Sequence, residues 1–392
     1  MQGVTQKNGM NKLYPHQQRF MERNPDKAIL AWDTGTGKSH VAQYWLKLRD
    51  EENALVVCPK QVLGDWKRRT KATVLTKEQF VKLCRMARAP SALVIDECDE
   101  FGSALFAKGR SMRTKAMYEF IRANPHMPVL GLTATPVRSH PANLHTLLCF
   151  VGMYYPWGKW RDHFYSLEMR PYLPRPAYLP RSDWRIRIRP FIEKHCDIAL
   201  LKDIVVNVPE ELHEVVNVKT PEIESYDPDP MRRFVEEHRA EQRLKAKDVQ
   251  RIAKGYSKAF VVVHYREQIE QLAEELAKER QVYVLDGSVK DQDAVIHAAN
   301  EDRECYFIVQ ASIGAGFDAD SFSCMIFASM SYKVRDLVQM RARIKRIHNL
   351  HPVHYYYLIG GKRDKAIYDT LEKGQDFVPG IYLARAASCK KA

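Results

Sequence analysis

Nine short apolar runs, each bounded by helical or loop sequence, constrain the fold of this chain more than any other feature. Four stand in the first 155 residues, at Lys27–Trp32, Ala54–Pro59, Ala92–Ile95 and Val129–Thr133. Five more follow at Phe260–His264, Val282–Leu285, Cys305–Gln310, Cys324–Ala328 and His354–Ile359. Apolar runs of this length, alternating with helical sequence, are the βαβ pattern of a parallel sheet. Two α/β layers are therefore predicted, with no close sequence repeat between them. The 392 residues allow two or three domains at roughly 100 to 200 residues each. A hydrophobic share of 45% with 28% charged residues lets each domain bury a core. That composition excludes bulk disorder, a collagen and a disulfide miniprotein.

The sequence between the two layers has another character. Residues 156–190 are rich in proline, arginine and aromatics, and YLPR occurs twice, at Tyr172 and Tyr178. Five prolines in the twenty residues 171–190 predict no regular helix there. Residues 228–254 read as helical and strongly charged, and the tail is helical to about Lys373 before a basic CKKA end. The expected boundaries are 1–155 for the first layer, 156–210 for an insertion or linker, 211–360 for the second layer and 361–392 for a helix and tail.

Charge supplies the first hint of a partner. Sixty-one Lys and Arg against 48 Asp and Glu leave a net +13. Such a surplus favours a polyanion, because each cation that neutralises a phosphate releases counterions. The eight cysteines, at 58, 84, 98, 149, 196, 305, 324 and 389, show no C-x-x-C spacing. They are read as reduced thiols without a zinc site. No apolar run reaches the ~20 residues of a membrane span, and MQGVTQKNGM does not resemble a signal peptide. A cytoplasmic protein is the expectation.

Ala31-Trp-Asp-Thr-Gly-Thr-Gly-Lys-Ser39 follows one apolar run and opens a predicted helix, HVAQYWLKL. A triphosphate needs backbone N–H groups close to its oxygens, and glycine permits that approach and the sharp turn. Gly35 and Gly37 supply the glycines, and the helix N-terminus adds a positive dipole end. Lys38 would reach the β and γ phosphates, and Ser39 would ligate Mg²⁺. Thr34, Thr36 and His40 complete the stretch expected to line ATP. Trp32 stands where G-x-x-x-x-G-K-[ST] has its first glycine. Upstream, Leu13-Tyr-Pro-His-Gln17 offers Gln17 to an adenine edge, since an amide both donates and accepts. The competing reading of Gln17 is a surface side chain.

Ala92-Leu-Val-Ile-Asp96-Glu97-Cys98-Asp99 runs a buried strand into carboxylates. Asp96 and Glu97 then fall at the sheet's C-terminal edge, where open α/β sheets bind ligands. Asp96 would hold Mg²⁺, and Glu97 would orient or deprotonate the attacking water.

With these two motifs in order, the chain resembles the superfamily 2 helicases, closest to the Swi/Snf-type DNA-dependent ATPases, over roughly residues 11–350. DECD is the second motif, and Leu55–Trp66 (LVVCPKQVLGDW) resembles motif Ia. The resemblance assigns Pro59, Lys60 and Thr76 to the nucleic-acid backbone. Gly131-Leu-Thr-Ala-Thr-Pro136 resembles motif III, whose Thr133 and Thr135 would couple the lobes. Phe260–Tyr265 resembles motif IV, with His264 toward nucleic acid, and Leu285-Asp-Gly287 the turn that follows it. Gln310–Asp318 (QASIGAGFD) resembles motif V, with Ser312 on nucleic acid and Gly316 and Asp318 on nucleotide. Gln339–Ile347 (QMRARIKRI) resembles motif VI.

The family implies two tandem RecA-like domains. ATP with Mg²⁺ would bind between them, with Arg343 on the γ-phosphate, Arg346 as the arginine finger and Gln339 sensing nucleotide. The chain lacks the PTREL and HRxGR forms of DEAD-box RNA helicases. Its compact length suits a bacterial or bacteriophage source.

The insertion adds Arg175, Arg181, Arg185, Arg187 and Arg189, interleaved with Tyr172, Tyr178 and Trp184. Arginines can clamp phosphates while aromatic faces stack on bases. Arg185, Arg187 and Arg189 would share one strand face. The alternative is a stiff linker packed between lobes. The expected activity is an ATP-driven motor on DNA, duplex or branched before RNA, working as a monomer. A strand-separating DNA or RNA helicase is the nearest rival. A non-enzymatic DNA-binding module predicts loss of Lys38, Glu97 or Arg346, and all three are present. A restriction or packaging subunit would bring a nuclease signature, which the sequence does not display.

Overall fold

The computed structural model describes residues 13–84, 88–102, 111–138, 140–169, 176–204, 209–221, 223–313, 317–345 and 351–383. The chain divides into two compact units, Met1–Val206 and Asn207–Ala392.

The first unit runs α1 (Pro15–Arg23), β1 (Lys27–Trp32), α2 (Lys38–Lys47), β2 (Leu55–Cys58), α3 (Leu63–Arg69), β3 (Thr73–Thr76), α4 (Lys77–Leu83), β4 (Leu93–Asp96), α5 (Met112–Ala123) and β5 (Val129–Thr133). It continues with α6 (Ala142–Phe150), α7 (Trp157–Phe164), β6 (Tyr165–Glu168), β7 (Ala177–Pro180), α8 (Trp184–His195), β8 (Asp197–Ala199) and α9 (Leu201–Ile204). Among the described residues, six strands form one parallel sheet in the order β3-β2-β4-β5-β1-β8. Helices cover both faces, so the inner strands β2, β4, β5 and β1 are largely buried on both sides, as parallel sheets require. Ile29 and Ala31 join Leu93, Ile95 and Val129 in one core. Leu30 and Trp32, one residue out of phase, join Val56, Val94 and Leu130 in the other. Each fully buried aliphatic side chain contributes roughly 1.5–3 kcal/mol.

The second unit runs β9 (Glu211–Asn217), α10 (Pro230–Arg243), α11 (Ala246–Ala253), β10 (Lys258–Val263), α12 (Glu267–Leu276), β11 (Gln281–Leu285), α13 (Gln292–Glu301), β12 (Cys305–Gln310), β13 (Cys324–Phe327), α14 (Val334–Ile344), β14 (Val353–Ile359) and α15 (Lys362–Glu372). Its strands are again parallel, in the order β11-β12-β10-β13-β14-β9. Phe260, Val262, Phe307 and Val309 face one core. Val261, Val263, Tyr306 and Ile308 face the other.

The nine apolar runs of the sequence are strands β1, β2, β4, β5 and β10 to β14. The expected insertion differs. Its described residues 156–169 and 176–204 belong to the first unit, and β8 extends that unit's sheet beside β1. The arginine-rich stretch is helix α8, with Pro190 inside it, where the sequence reading expected a strand face and no regular helix. The helix holds because Trp184 and Ile188 are buried one turn apart, with Phe191 and Ile192 packed beside them. Pro190 and Ile186 lie on the exposed side, where water can replace the hydrogen bond that proline cannot donate.

Candidate functional site

The strand order sets the site. β1 and β4 flank β5, so three loops leave neighbouring C-terminal strand ends. These are the glycine loop after β1, the carboxylates after β4 and the threonines closing β5.

In the glycine loop, Gly35 (φ 80°) and Gly37 (φ 82°) adopt left-handed backbone that L side chains disfavour. A Cβ on Gly37 would stand 2.2 Å from Gln17 Nε2. Gln17 is buried, and its Nε2 donates to the Thr36 carbonyl at 3.0 Å and the Gly37 carbonyl at 3.4 Å. Its Oε1 accepts from the Tyr14 N–H at 2.9 Å, closing the first turn of α1. Both ends of this amide thus engage protein, where the sequence reading had Gln17 facing an adenine edge. His16 contacts the Thr36 carbonyl at 2.9 Å, and burial lowers its imidazole pKa. Lys38 Nζ donates to the carbonyls of Trp32 (2.8 Å) and Asp33 (3.0 Å) within the loop. Thr34, Ser39 and His40 lie on the loop and the first turn of α2, all half-buried.

Trp32, in the place of the missing glycine, is fully buried and meets His16 and Phe20 edge-on. Its indole N–H donates to Asp197 Oδ1 at 2.6 Å. Asp33 donates its N–H to Ala199 O and accepts the Leu201 N–H on Oδ2, both at 2.9 Å. The loop is therefore fastened to β8 and α9, a contact that bridges more than 160 residues and that no local motif announces.

Asp96 is buried at the end of β4. It accepts the Trp66 indole N–H at 2.8 Å and the Glu97 N–H at 3.1 Å. Burial raises its pKa, against the Trp66 hydrogen bond and the charges of Lys77 and Lys38. Glu97 has φ 50°, left-handed backbone for a non-glycine residue, which costs on the order of 1–3 kcal/mol and clusters at functional sites. Asp99 is buried and accepts from Thr133 Oγ1 at 3.0 Å, from Thr135 Oγ1 at 3.4 Å and from Arg138 Nε. Motifs II and III are thus joined through Asp99. The sequence reading named both threonines, but not Asp99's role, not Arg138, and not the pairing of Trp66 with Asp96. The spacing of the motifs carries no signal for these pairings.

Residues expected at nucleic acid divide by exposure. Pro59 and Lys60 follow β2, with Lys60 exposed. Thr76 is buried and caps α4 by accepting the Gln79 N–H. Arg181 donates to the Asp162 carbonyl at 3.3 Å. Arg185 lies over the Trp184 ring at 4.6 Å, Arg187 pairs with Asp183 at 2.7 Å and Arg189 is exposed. Arg175 falls outside the described residues.

In the second unit, the His264 N–H donates to Ser329 Oγ at 2.7 Å. Burial pushes its imidazole down to about 4, so the ring is neutral at pH 7. Ser312 is exposed in the turn after β12, and Asp318 is exposed with its carbonyl accepting from Asn300. On α14, Gln339 and Arg343 are buried. Arg343 Nη1 donates to the Phe317 carbonyl at 2.6 Å and the guanidinium lies over the Phe317 ring, joining motif VI to motif V. Gly316 and Arg346 fall outside the described residues, Arg346 just past the end of α14.

Residues 244–348, which hold motifs IV to VI, match the helicase conserved C-terminal domain family. No curated protein matches the chain. A solved structure described as "Sulfolobus solfataricus SWI2/SNF2 ATPase core in complex with dsDNA" is similar over 95% of this chain and 93% of that one. The identity is 15% and the TM-score 0.41. Each unit thus holds a helix-flanked parallel sheet, and the second contains the segment that matches the helicase conserved C-terminal domain family. No helix among the described residues is long and apolar enough to cross a membrane.

Proposed function

We propose that the chain hydrolyses ATP to move along or remodel DNA, as a translocase of the Swi/Snf type. One observation carries this reading. Lys38, the Asp96–Glu97 pair and the Thr133–Asp99–Thr135 network sit at the C-terminal ends of strands β1, β4 and β5, adjacent in one parallel sheet. That edge is where open α/β sheets bind phosphorylated ligands.

Loop N–H groups and Lys38 would hold the phosphates, with Lys38 leaving the carbonyls it now caps. Glu97 would take the proton of the attacking water. The Asp99 bridge would pass a change at Glu97 to Thr133 and Thr135. Arg343 and Arg346 are proposed as the γ-phosphate contact and the finger, with Gln339, Gly316 and Asp318 toward nucleotide. A buried carboxylate such as Asp96, with the Ser39 hydroxyl, is an oxygen donor set that suits Mg²⁺. Bound there, the ion would neutralise phosphate charge. Lys60, Ser312 and Arg189 are exposed and are proposed to meet DNA phosphates. The net +13 supports a polyanionic track.

The test compares ATPase rates with duplex DNA, single-stranded DNA, branched DNA and RNA. Stimulation by duplex or branched DNA is expected, and stimulation by RNA alone overturns the DNA assignment.

A further inference from the structure

Strands β6 and β7 belong to neither large sheet. They pair with each other in an antiparallel ribbon, Tyr165 opposite Pro180 and Leu167 opposite Tyr178. Side chains alternate along a strand, so Tyr165, Leu167, Pro180 and Tyr178 share a face. At the base, Tyr165 is buried in the core of the first unit. Two residues further out the same face enters solvent: Leu167 is 60% exposed and Tyr178 46%, and Met169, just past β6, is 65% exposed. A two-stranded ribbon alone is marginal in water, and an apolar stripe running from core into solvent marks a surface that is covered in use.

The surroundings say by what. Arg161 lies over the Tyr178 ring, 4.5 Å from its centroid. The described residues of 157–190 hold six Lys and Arg against three Asp and Glu. A second copy of this face would meet like charge, whereas a polyanion with flat apolar faces meets both the arginines and the tyrosine. Unpaired DNA bases have that chemistry: every base offers a π-face to an aromatic ring, and its phosphate lies within reach of flanking cations. Paired bases inside a continuous duplex do not expose those faces.

We propose that the Leu167–Tyr178 face of the β6–β7 ribbon is a stacking platform for unpaired bases at a DNA branch point, which makes branched DNA the preferred substrate. This rests on the DNA-motor reading above and narrows it.

The test places 2-aminopurine at the first unpaired base of a three-way junction and measures its fluorescence on binding, without ATP. Junction and linear-duplex affinities are measured in parallel. Wild type should quench or shift the probe and prefer the junction. Tyr178→Ala should lose the spectral change and lower the junction-to-duplex affinity ratio by roughly 5- to 150-fold, the range of one stacked base. Tyr178→Phe, which keeps the ring, should retain both. A wild type that hydrolyses ATP on DNA yet shows equal affinity and an unperturbed probe overturns this proposal and leaves the motor reading standing. A wild type without DNA-stimulated ATPase defeats the motor reading, while the probe still judges the ribbon. A Tyr178→Ala chain that stacks normally but changes its mass in light scattering assigns the face to a protein contact, and the proposal falls.

Discussion

Glu97 holds a left-handed backbone that Asp96, its neighbour on β4, does not. Glu97→Gln keeps the loop and Asp96 in place, so ATP should still bind. Turnover should fall by about 10²- to 10⁴-fold if Glu97 is the base. Single-turnover kinetics check this, and wild-type turnover removes Glu97 from the role. Asp96 works under the opposite tension. Its folded pKa is raised by burial, so keeping it ionised works against folding once pH rises above the ordinary aspartate range. Asp96→Asn should therefore abolish hydrolysis yet raise the melting temperature at pH 7. A few degrees is the expected scale, since 1 kcal/mol moves a unit of about 200 residues by roughly 2–4 °C. The gain should shrink as pH falls through the ordinary aspartate range, where the carboxyl takes up its proton in the folded and the unfolded chain alike. Calorimetry across pH checks the sign; a loss of stability at pH 7 contradicts it. The places of Lys38 at the start of α2 and of Asp96 and Glu97 at the end of β4 were legible because glycine spacing and apolar runs can be read along the chain. Trp66 on Asp96 and Arg138 on Asp99 were not, because those partners are chosen by packing across strands.

At the scale of elements, the glycine loop shows how narrow its tolerance is. Gly37→Ala combines a disfavoured φ with a Cβ 2.2 Å from Gln17 Nε2. We expect ATP affinity to fall at least tenfold, with the fold intact by circular dichroism; unchanged affinity by titration would show that the loop can shift. Helix α8 carries the second lesson. A strand would put Arg185, Arg187 and Arg189 on one face. The helix instead sets Arg185 and Arg189 one turn apart and gives Arg187 to Asp183. Replacing all three with alanine should flatten the slope of log affinity against log salt. Each lost phosphate contact removes about one unit, so fewer than three units are expected. An unchanged slope would assign the helix to packing alone. Proline density misled the sequence reading here. Pro190 lies on the exposed side, and the period of Trp184, Ile188 and Phe191 outweighs it.

For the whole molecule, each unit has its own pair of cores, and the second is organised about buried charge. Lys245 Nζ is fully buried and bonds Asp364 Oδ2 (2.6 Å), Gln242 Oε1 (2.6 Å) and the carbonyls of Leu358 (2.8 Å) and Ala328 (3.1 Å). His238 closes on Asp364 Oδ1 at 2.8 Å. The Lys245 charge and the His238 contact hold the Asp364 carboxyl well below the usual range despite its burial. That contribution to stability is present above the ordinary aspartate pKa and is lost as pH falls through acid. Asp364→Ala should destabilise the second unit by about 3–5 kcal/mol, because it strands a buried ammonium. Denaturant unfolding followed in that unit checks this, and a change below about 1 kcal/mol would show that Lys245 finds another partner. The sequence by itself determined two parallel α/β layers and nine of their strands, and it set the glycine loop after β1 and the Asp96–Glu97 pair at the end of β4. Apolar period and glycine stereochemistry are local properties and can be read along the chain. Only the tertiary structure decided that the arginine-rich stretch is a helix of the first unit. It also decided that Gln17 and Asp197 brace the glycine loop, and that Asp99 links β4 to β5. Those outcomes depend on which residues, distant in sequence, share one buried space.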